Sequence, residues 1–165
     1  MRVHAFRLTP RADLREELER FTTLHALRAG FILSCVGSLS AARLRTPGAQ
    51  GEAAVFHSYA EPMEIVSLVG TLSPDGVHLH ISLARRDGAC VGGRLVAGCV
   101  VNTTAELVIG EVEGLEFRRS PDPATGYAEL TVQSRPSGRA PRTNHSSRRR
   151  RNLRREGACA SATSR

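Results

Sequence analysis

From His78 to Ala84 the chain alternates polar or small side chains with aliphatic ones: His78, His80, Ser82 and Ala84 interleave with Leu79, Ile81 and Leu83. A period of two is the signature of a strand with one face buried, because successive strand side chains point to opposite sides. Ser73-Pro74-Asp75-Gly76 immediately precedes it and is a strong turn signal. Glu64 to Leu72 before that turn is again strand-like. The two runs therefore predict an antiparallel hairpin. They also set both imidazoles on one face, about 6.5–7 Å apart along the strand.

The remaining segments follow the same style. Val3 to Leu8 alternates, and Thr9-Pro10 breaks it. Asp13 with Glu16 has capping-box spacing, and Leu14, Leu18, Phe21 and Leu24 recur at helical intervals, which predicts an amphipathic helix of about three turns. Gly30 is a candidate helix stop, and Phe31 to Val36 reads as a buried strand. Gly37-Ser38-Leu39-Ser40 reads as a turn into Ala41–Arg45. Further strands are expected at Val55–Tyr59, Ala105–Gly110, Gly114–Arg119 and Tyr127–Val132, with a Gly-rich return from Gly88 to Gly98. Many short strands with one clear helix predict an α+β domain dominated by an antiparallel sheet.

Composition narrows the function classes. Trp is absent and aromatic residues make up 4%, so the core must be aliphatic. No apolar run approaches the ~18 residues of a membrane-spanning helix, and Met1–Arg7 lacks the apolar stretch of a signal peptide. The expectation is an intracellular protein without membrane contact. Cys35, Cys90, Cys99 and Cys159 show no CxxC spacing, and three of them fall in apolar contexts. They read as reduced thiols rather than a zinc ribbon or redox motif.

Charge is segregated. From Arg135 onward ten arginines face one acid, Glu156, whereas residues 1–134 carry 13 arginines against 15 acids. Residues 135–165 are also rich in Ser, Pro and Gly and poor in apolar side chains, so they read as a disordered basic tail. Arg148, Arg149, Arg150, Arg151, Arg154 and Arg155 form its densest cluster. Such a run predicts salt-sensitive, sequence-blind nucleic-acid affinity, and would serve nuclear import in a eukaryote. Ser137-Gly138-Arg139-Ala140-Pro141-Arg142 falls short of an Arg-Gly-Arg-Pro hook, since the leading Arg is missing and Ala intervenes.

These residues resemble a known family, the plant and prokaryote conserved (PPC) domain. The likeness spans roughly Val3 to Val132. It rests on Asp13-Leu14, Gly37-Ser38-Leu39-Ser40, Glu64 to Leu72, Asp75-Gly76, the histidine strand, Gly92-Gly93, Gly98-Cys99 and Thr103 to Val108. The resemblance implies a PPC-domain fold over residues 1–134, with a largely antiparallel sheet flanked by helices. It further implies a homotrimer acting as an interaction platform, DNA-associated in plant nuclear members. In some members the His-x-His pair and a further His after the double glycine hold a metal.

This chain departs from that pattern at two positions. Arg85 stands where relatives keep Asp, and Arg94 where they keep the third His. A guanidinium stays protonated and offers no lone pair, so His78 and His80 fall short of the three protein ligands typical of catalytic zinc. Zinc would need rescue by Cys90, His57, Glu106 or a neighbouring subunit. If His78, His80, Arg85 and Arg94 converge, the pocket becomes anion-binding instead, since arginine suits carboxylate and phosphate. The bland alternative is a pair of histidines hydrogen-bonded within a subunit contact, with the arginines in solvent.

Other chemistry is weakly signalled. Ser67, Ser82 and Thr103 lack a nucleophile elbow, Gly88-x-x-x-Gly92-Gly93 lacks the Lys-Ser/Thr of a P-loop, and Glu106 is one carboxylate in an apolar strand. The expectation is a non-enzymatic homotrimer that recruits proteins, with a DNA-associated role through its tail. It would be nuclear in a eukaryote and cytoplasmic otherwise. The rival is a metal- or anion-dependent small-molecule binding protein or enzyme built on the His-x-His pair.

Overall fold

The computed structural model describes residues 1–48 and 53–135. Nine strands and one helix run in the order β1 (Arg2–Leu8), α1 (Leu14–Leu24), β2 (Gly30–Thr46), β3 (Val55–Tyr59), β4 (Met63–Ser73), β5 (Gly76–Ala84), β6 (Cys90–Leu95), β7 (Val100–Glu111), β8 (Leu115–Asp122) and β9 (Tyr127–Ser134), among the described residues. The main sheet has the order β1-β7-β2-β4-β5-β6, with β3 beside β2, and every pairing is antiparallel. β6 also pairs with the far end of β2, so β2, β4, β5 and β6 curl into a closed set. β8 and β9 form a separate hairpin. The expected antiparallel sheet is present, but it is not flanked by helices in the plural: one short helix serves the described residues. Eleven residues of helix bury Leu14, Leu18 and Thr22 against β4, β5 and β7.

That helix begins where its cap dictates. Asp13 Oδ1 accepts the backbone N–H groups of Arg15 and Glu16 at 3.0 and 3.1 Å, satisfying donors that the first turn leaves free. It stops earlier than Gly30. Ala26 turns into the left-handed region at φ +49°, and Leu27 N–H closes on Thr22 C=O at 3.0 Å. Gly30 instead opens β2. The usual left-handed residue here is glycine, so the sequence pointed to the wrong stop.

β2 is a second correction. Phe31–Val36 and Ala41–Arg45 are halves of one 17-residue strand, bent through register shifts opposite β7 rather than broken by a turn. Gly37 permits the bend: it sits at φ +152°, and a Cβ there would stand 2.1 Å from the Thr104 carbonyl oxygen. Bulges of this kind kink a strand without ending it. Gly88–Gly98 likewise is no return beneath the sheet. It contains β6, a strand hydrogen-bonded to β5 and, at Arg94 and Leu95, to β2.

The core lies between the helix and the inward face of the sheet. Leu14, Leu18, Leu39, Leu72, Leu79, Leu83 and Leu95 are fully buried there, each contributing about 1.5–3 kcal/mol relative to exposure. The aliphatic core expected from the composition is what forms. No helix among the described residues is long and apolar enough to cross a membrane.

Candidate functional site

β5 sorts its side chains cleanly. Val77, Leu79, Ile81 and Leu83 are buried, which turns His78 and His80 to the outward face. The rings lean together instead of keeping the strand spacing: the Nε2 atoms are 3.2 Å apart and the ring centroids 5.3 Å. Two flanking strands supply positive charge. Arg94 of β6 lies directly opposite His80, and on its other side opposite Arg45 of β2. His80, Arg94 and Arg45 thus form a row across three strands.

The β8–β9 hairpin forms the facing wall. It contributes Arg119, Tyr127, Ala128 and Glu129 to a cleft of about 540 Å³ that also includes His78, His80, Arg94 and Arg45. The hairpin is tied down through the β4–β5 turn. Asp75 accepts from Arg118 Nη1 at 3.0 Å and from the Arg119 backbone N–H at 2.9 Å, while Arg119 Nη2 donates to Thr71 Oγ1 at 3.0 Å. Behind it, Glu116 pairs with Arg28, Arg118 and Arg135.

Electrostatics follow from this crowding. Burial, then Arg94, Arg119 and His80, push the His78 pKa below the ordinary imidazole value, with Glu129 opposing. Burial and the neighbouring Arg45, Arg15 and Arg119 lower that of Arg94. Among the described residues, Arg45, Arg94 and Arg119 make no ion pair within 4.0 Å, although nine other cationic groups do: the N-terminus, His4 and seven arginines.

The residues singled out from the sequence separate into three groups. His78, His80 and Arg94 come together. Arg85 does not join them: its Nε donates to Glu61 Oε1 at 2.7 Å, and it does not line the cleft. Arg148 to Arg151, Arg154 and Arg155, with the rest of the basic tail and Cys159, lie outside the described residues. Arg45 and Arg119 were missed. Nothing local marks Arg45, whose role depends on β2 reaching β6, and Arg119 arrives through the docking of a separate hairpin.

A metal fits only in part. A separation of 3.2 Å suits an imidazole–imidazole hydrogen bond. It also approaches the ~3.3 Å between two nitrogens on tetrahedral zinc, given Zn–N bonds of about 2.0–2.1 Å. Yet no group of three or more His, Cys, Asp or Glu that could hold a metal occurs among the described residues. Cys90 is exposed opposite Ala84, His57 Nε2 sits 3.1 Å from Thr46 Oγ1, and Glu106 of β7 pairs with Arg7 of β1 and Val36 of β2. Among the described residues, two imidazoles beside three guanidiniums do not make a zinc centre. Cys35 and Cys99 are buried, their thiols pushed up to about 12 and about 11 by desolvation, whereas Cys90 is exposed.

The family profile of the Plants and Prokaryotes Conserved (PCC) domain matches residues 1–113. The chain belongs to this family. The PCC domain here is 47% identical over 133 residues to proteins named bifunctional protein GlmU in two Synechococcus strains. That alignment takes in 81% of this chain but about a fifth of theirs. A hypothetical protein of Salmonella cholerae-suis shares the fold at a TM-score of 0.75 and 41% identity, covering 81% of this chain and 94% of that one. A metal-containing protein of Archaeoglobus fulgidus gives a TM-score of 0.70 at 26% identity, covering 79% and 94%.

Proposed function

We propose that this PCC domain is a self-assembling interaction module, a homotrimer that recruits other proteins, and not an enzyme. One observation carries the reading. The outward face of the sheet, opposite the helix, exposes Leu33, Val36, Val66 and Val69 on the neighbouring strands β2 and β4. β2 and β4 pair through Phe31↔Thr71 at one end and Ser38↔Glu64 at the other, so all four side chains lie between those two points on adjacent strands. A contiguous aliphatic patch of this kind marks a protein contact surface. Copies of the same chain are the occupants we favour, and the number three comes from the family resemblance. The arginine cluster at Arg148–Arg151, Arg154 and Arg155 would add loose nucleic-acid contact, and nuclear import in a eukaryotic cell.

Sedimentation velocity tests the assembly. The full chain should sediment as a trimer, and Val36→Asp or Val66→Asp should yield folded monomer. A trimer that survives both substitutions would remove this face from the interface and with it the reading.

A second reading keeps a metal. The 3.2 Å approach of the two imidazoles supports it, and so does the likeness to the metal-containing Archaeoglobus protein. There a neighbouring subunit would complete the ligand set. Metal analysis of the purified protein separates the two: stoichiometric zinc that disappears in His80→Ala favours the metal.

A further inference from the structure

The row of His80, Arg94 and Arg45 faces Arg119 across a walled cleft. Arginine side chains cluster at a cost, because like charges repel and partial burial strips water from them. Proteins usually offset that with carboxylates. Among the described residues Arg15, Arg20, Arg28, Arg85 and Arg118 each have an acidic partner, while Arg7, Arg11, Arg43, Arg45, Arg86, Arg94 and Arg119 have none, and of these Arg45, Arg94 and Arg119 line one cleft. Asp75, the nearest carboxylate on the β4–β5 turn, is occupied by Arg118. That leaves Glu129 as the one free acid lining the cleft among the described residues. Three guanidiniums against one carboxylate leave two positive charges uncompensated.

We propose that Arg45, Arg94 and Arg119 bind the phosphate group of a small hydroxyl-bearing phosphate monoester, with Glu129 accepting a hydroxyl of the same molecule. The charge balance favours this class. A monoester carries close to two negative charges at neutral pH and three terminal oxygens, as a phosphorylated side chain does. A monocarboxylate would leave one charge uncovered. The planar forks of arginine suit phosphate oxygens bidentately. Arg119 is already oriented for the task by Thr71 and Asp75, so less side-chain freedom is lost when a ligand arrives. His78 and His80 bond to each other, which leaves them as a floor. The cleft volume, about 540 Å³, suits a small molecule, since ligand pockets run from about 300 to 1,000 Å³. Its hairpin wall opposes a duplex lying flat across the site.

Calorimetric titration of the full chain with glucose 6-phosphate and with inorganic phosphate tests the assignment. Saturable binding at one site per chain is expected, tighter for the sugar phosphate. Arg94→Gln and, from the opposite wall, Arg119→Gln should each weaken it by at least about tenfold. Glu129→Gln should erase the preference for the sugar phosphate over phosphate. Arg85→Gln should change nothing, since that side chain serves Glu61. Sedimentation of each variant keeps loss of assembly distinct from loss of binding. Binding unaltered in both Arg94→Gln and Arg119→Gln overturns the proposal, as does the absence of binding at millimolar ligand. So does binding abolished only when Arg148–Arg151 are replaced by Ser, which would assign the affinity to the tail. If a short DNA duplex binds through Arg94 and displaces the sugar phosphate, the cleft is a nucleic-acid contact and the small-molecule assignment fails.

Discussion

His78 Nε2 and His80 Nε2 approach to 3.2 Å on the outward face of β5. At that distance one nitrogen donates and the other accepts, so the two rings cannot both carry a proton there. Neighbouring Arg94 and Arg119 reinforce the uncharged state of His78, after burial itself. In this cleft the arginines therefore hold the positive charge and the imidazoles form its polar floor.

The backbone beneath that floor is intolerant of a side chain. Gly70 pairs with Leu79 at φ +139°, and a Cβ on it would lie 2.0 Å from the His78 carbonyl oxygen. Gly70→Ala should cost about 2–4 kcal/mol in urea unfolding. It should also move the His78 ring resonances, because the strand must shift to make room. An unchanged midpoint would show that β4 and β5 are not so closely apposed.

Asp75 fastens the β8–β9 hairpin to the sheet. Replacing it by Ala removes acceptors for Arg118 and for the Arg119 backbone N–H. Amide exchange across Leu115–Ser134 should accelerate while β5 and β7 keep their protection. The Arg119 N–H and Arg118 hold this carboxyl below its usual range. A depressed folded-state value means that the unfolded chain binds protons first as pH falls. The contribution of Asp75 should thus be complete above about pH 4 and fade below it. Asp75→Ala should lack that component of the acid transition.

Thiol chemistry distinguishes the three described cysteines. In a Cys159→Ser background, maleimide should modify Cys90 rapidly in native protein and spare Cys35 and Cys99 until unfolding. The buried pair remain protonated to about 12 and about 11, whereas an unfolded thiol ionises nearer 9. Above that value the unfolded state loses protons that the folded state keeps, so stability should decline with rising pH. Cys35→Ala should flatten the decline. Rapid native labelling of Cys35 would contradict its burial.

For the tail, nucleic-acid retention should fall steeply with salt. Six arginines on phosphate predict a slope of log K against log salt as steep as about −5. A chain ending at Arg135, which keeps the Arg135 contact with Glu116, should retain its assembly and thermal midpoint while losing retention. Equal retention with and without residues 136–165 would assign nucleic-acid binding to the domain.

Local signals carried the element types well. The alternation around Leu79, the Asp13 cap and the Asp75-Gly76 turn each act within a few residues, so strand, helix and hairpin are legible there. Continuity was less legible. Gly37 is compatible with either a turn or a bulge, and only pairing to β7 keeps β2 in one piece. Ala26 took the left-handed position that glycine usually marks.

The linear order of residues determined an aliphatic antiparallel sheet with one amphipathic helix. It also determined a β5 face bearing two imidazoles, because period and turn chemistry are local properties. Which charges meet was decided in three dimensions. Arg45 reaches Arg94 because β2 curls far enough to pair with β6, and Arg119 reaches them because Asp75 pins a hairpin that begins 40 positions later. Arg85, nearer in sequence to both histidines than either, was claimed by Glu61. Long-range pairing obeys the geometry of the closed sheet, and no window of sequence contains it.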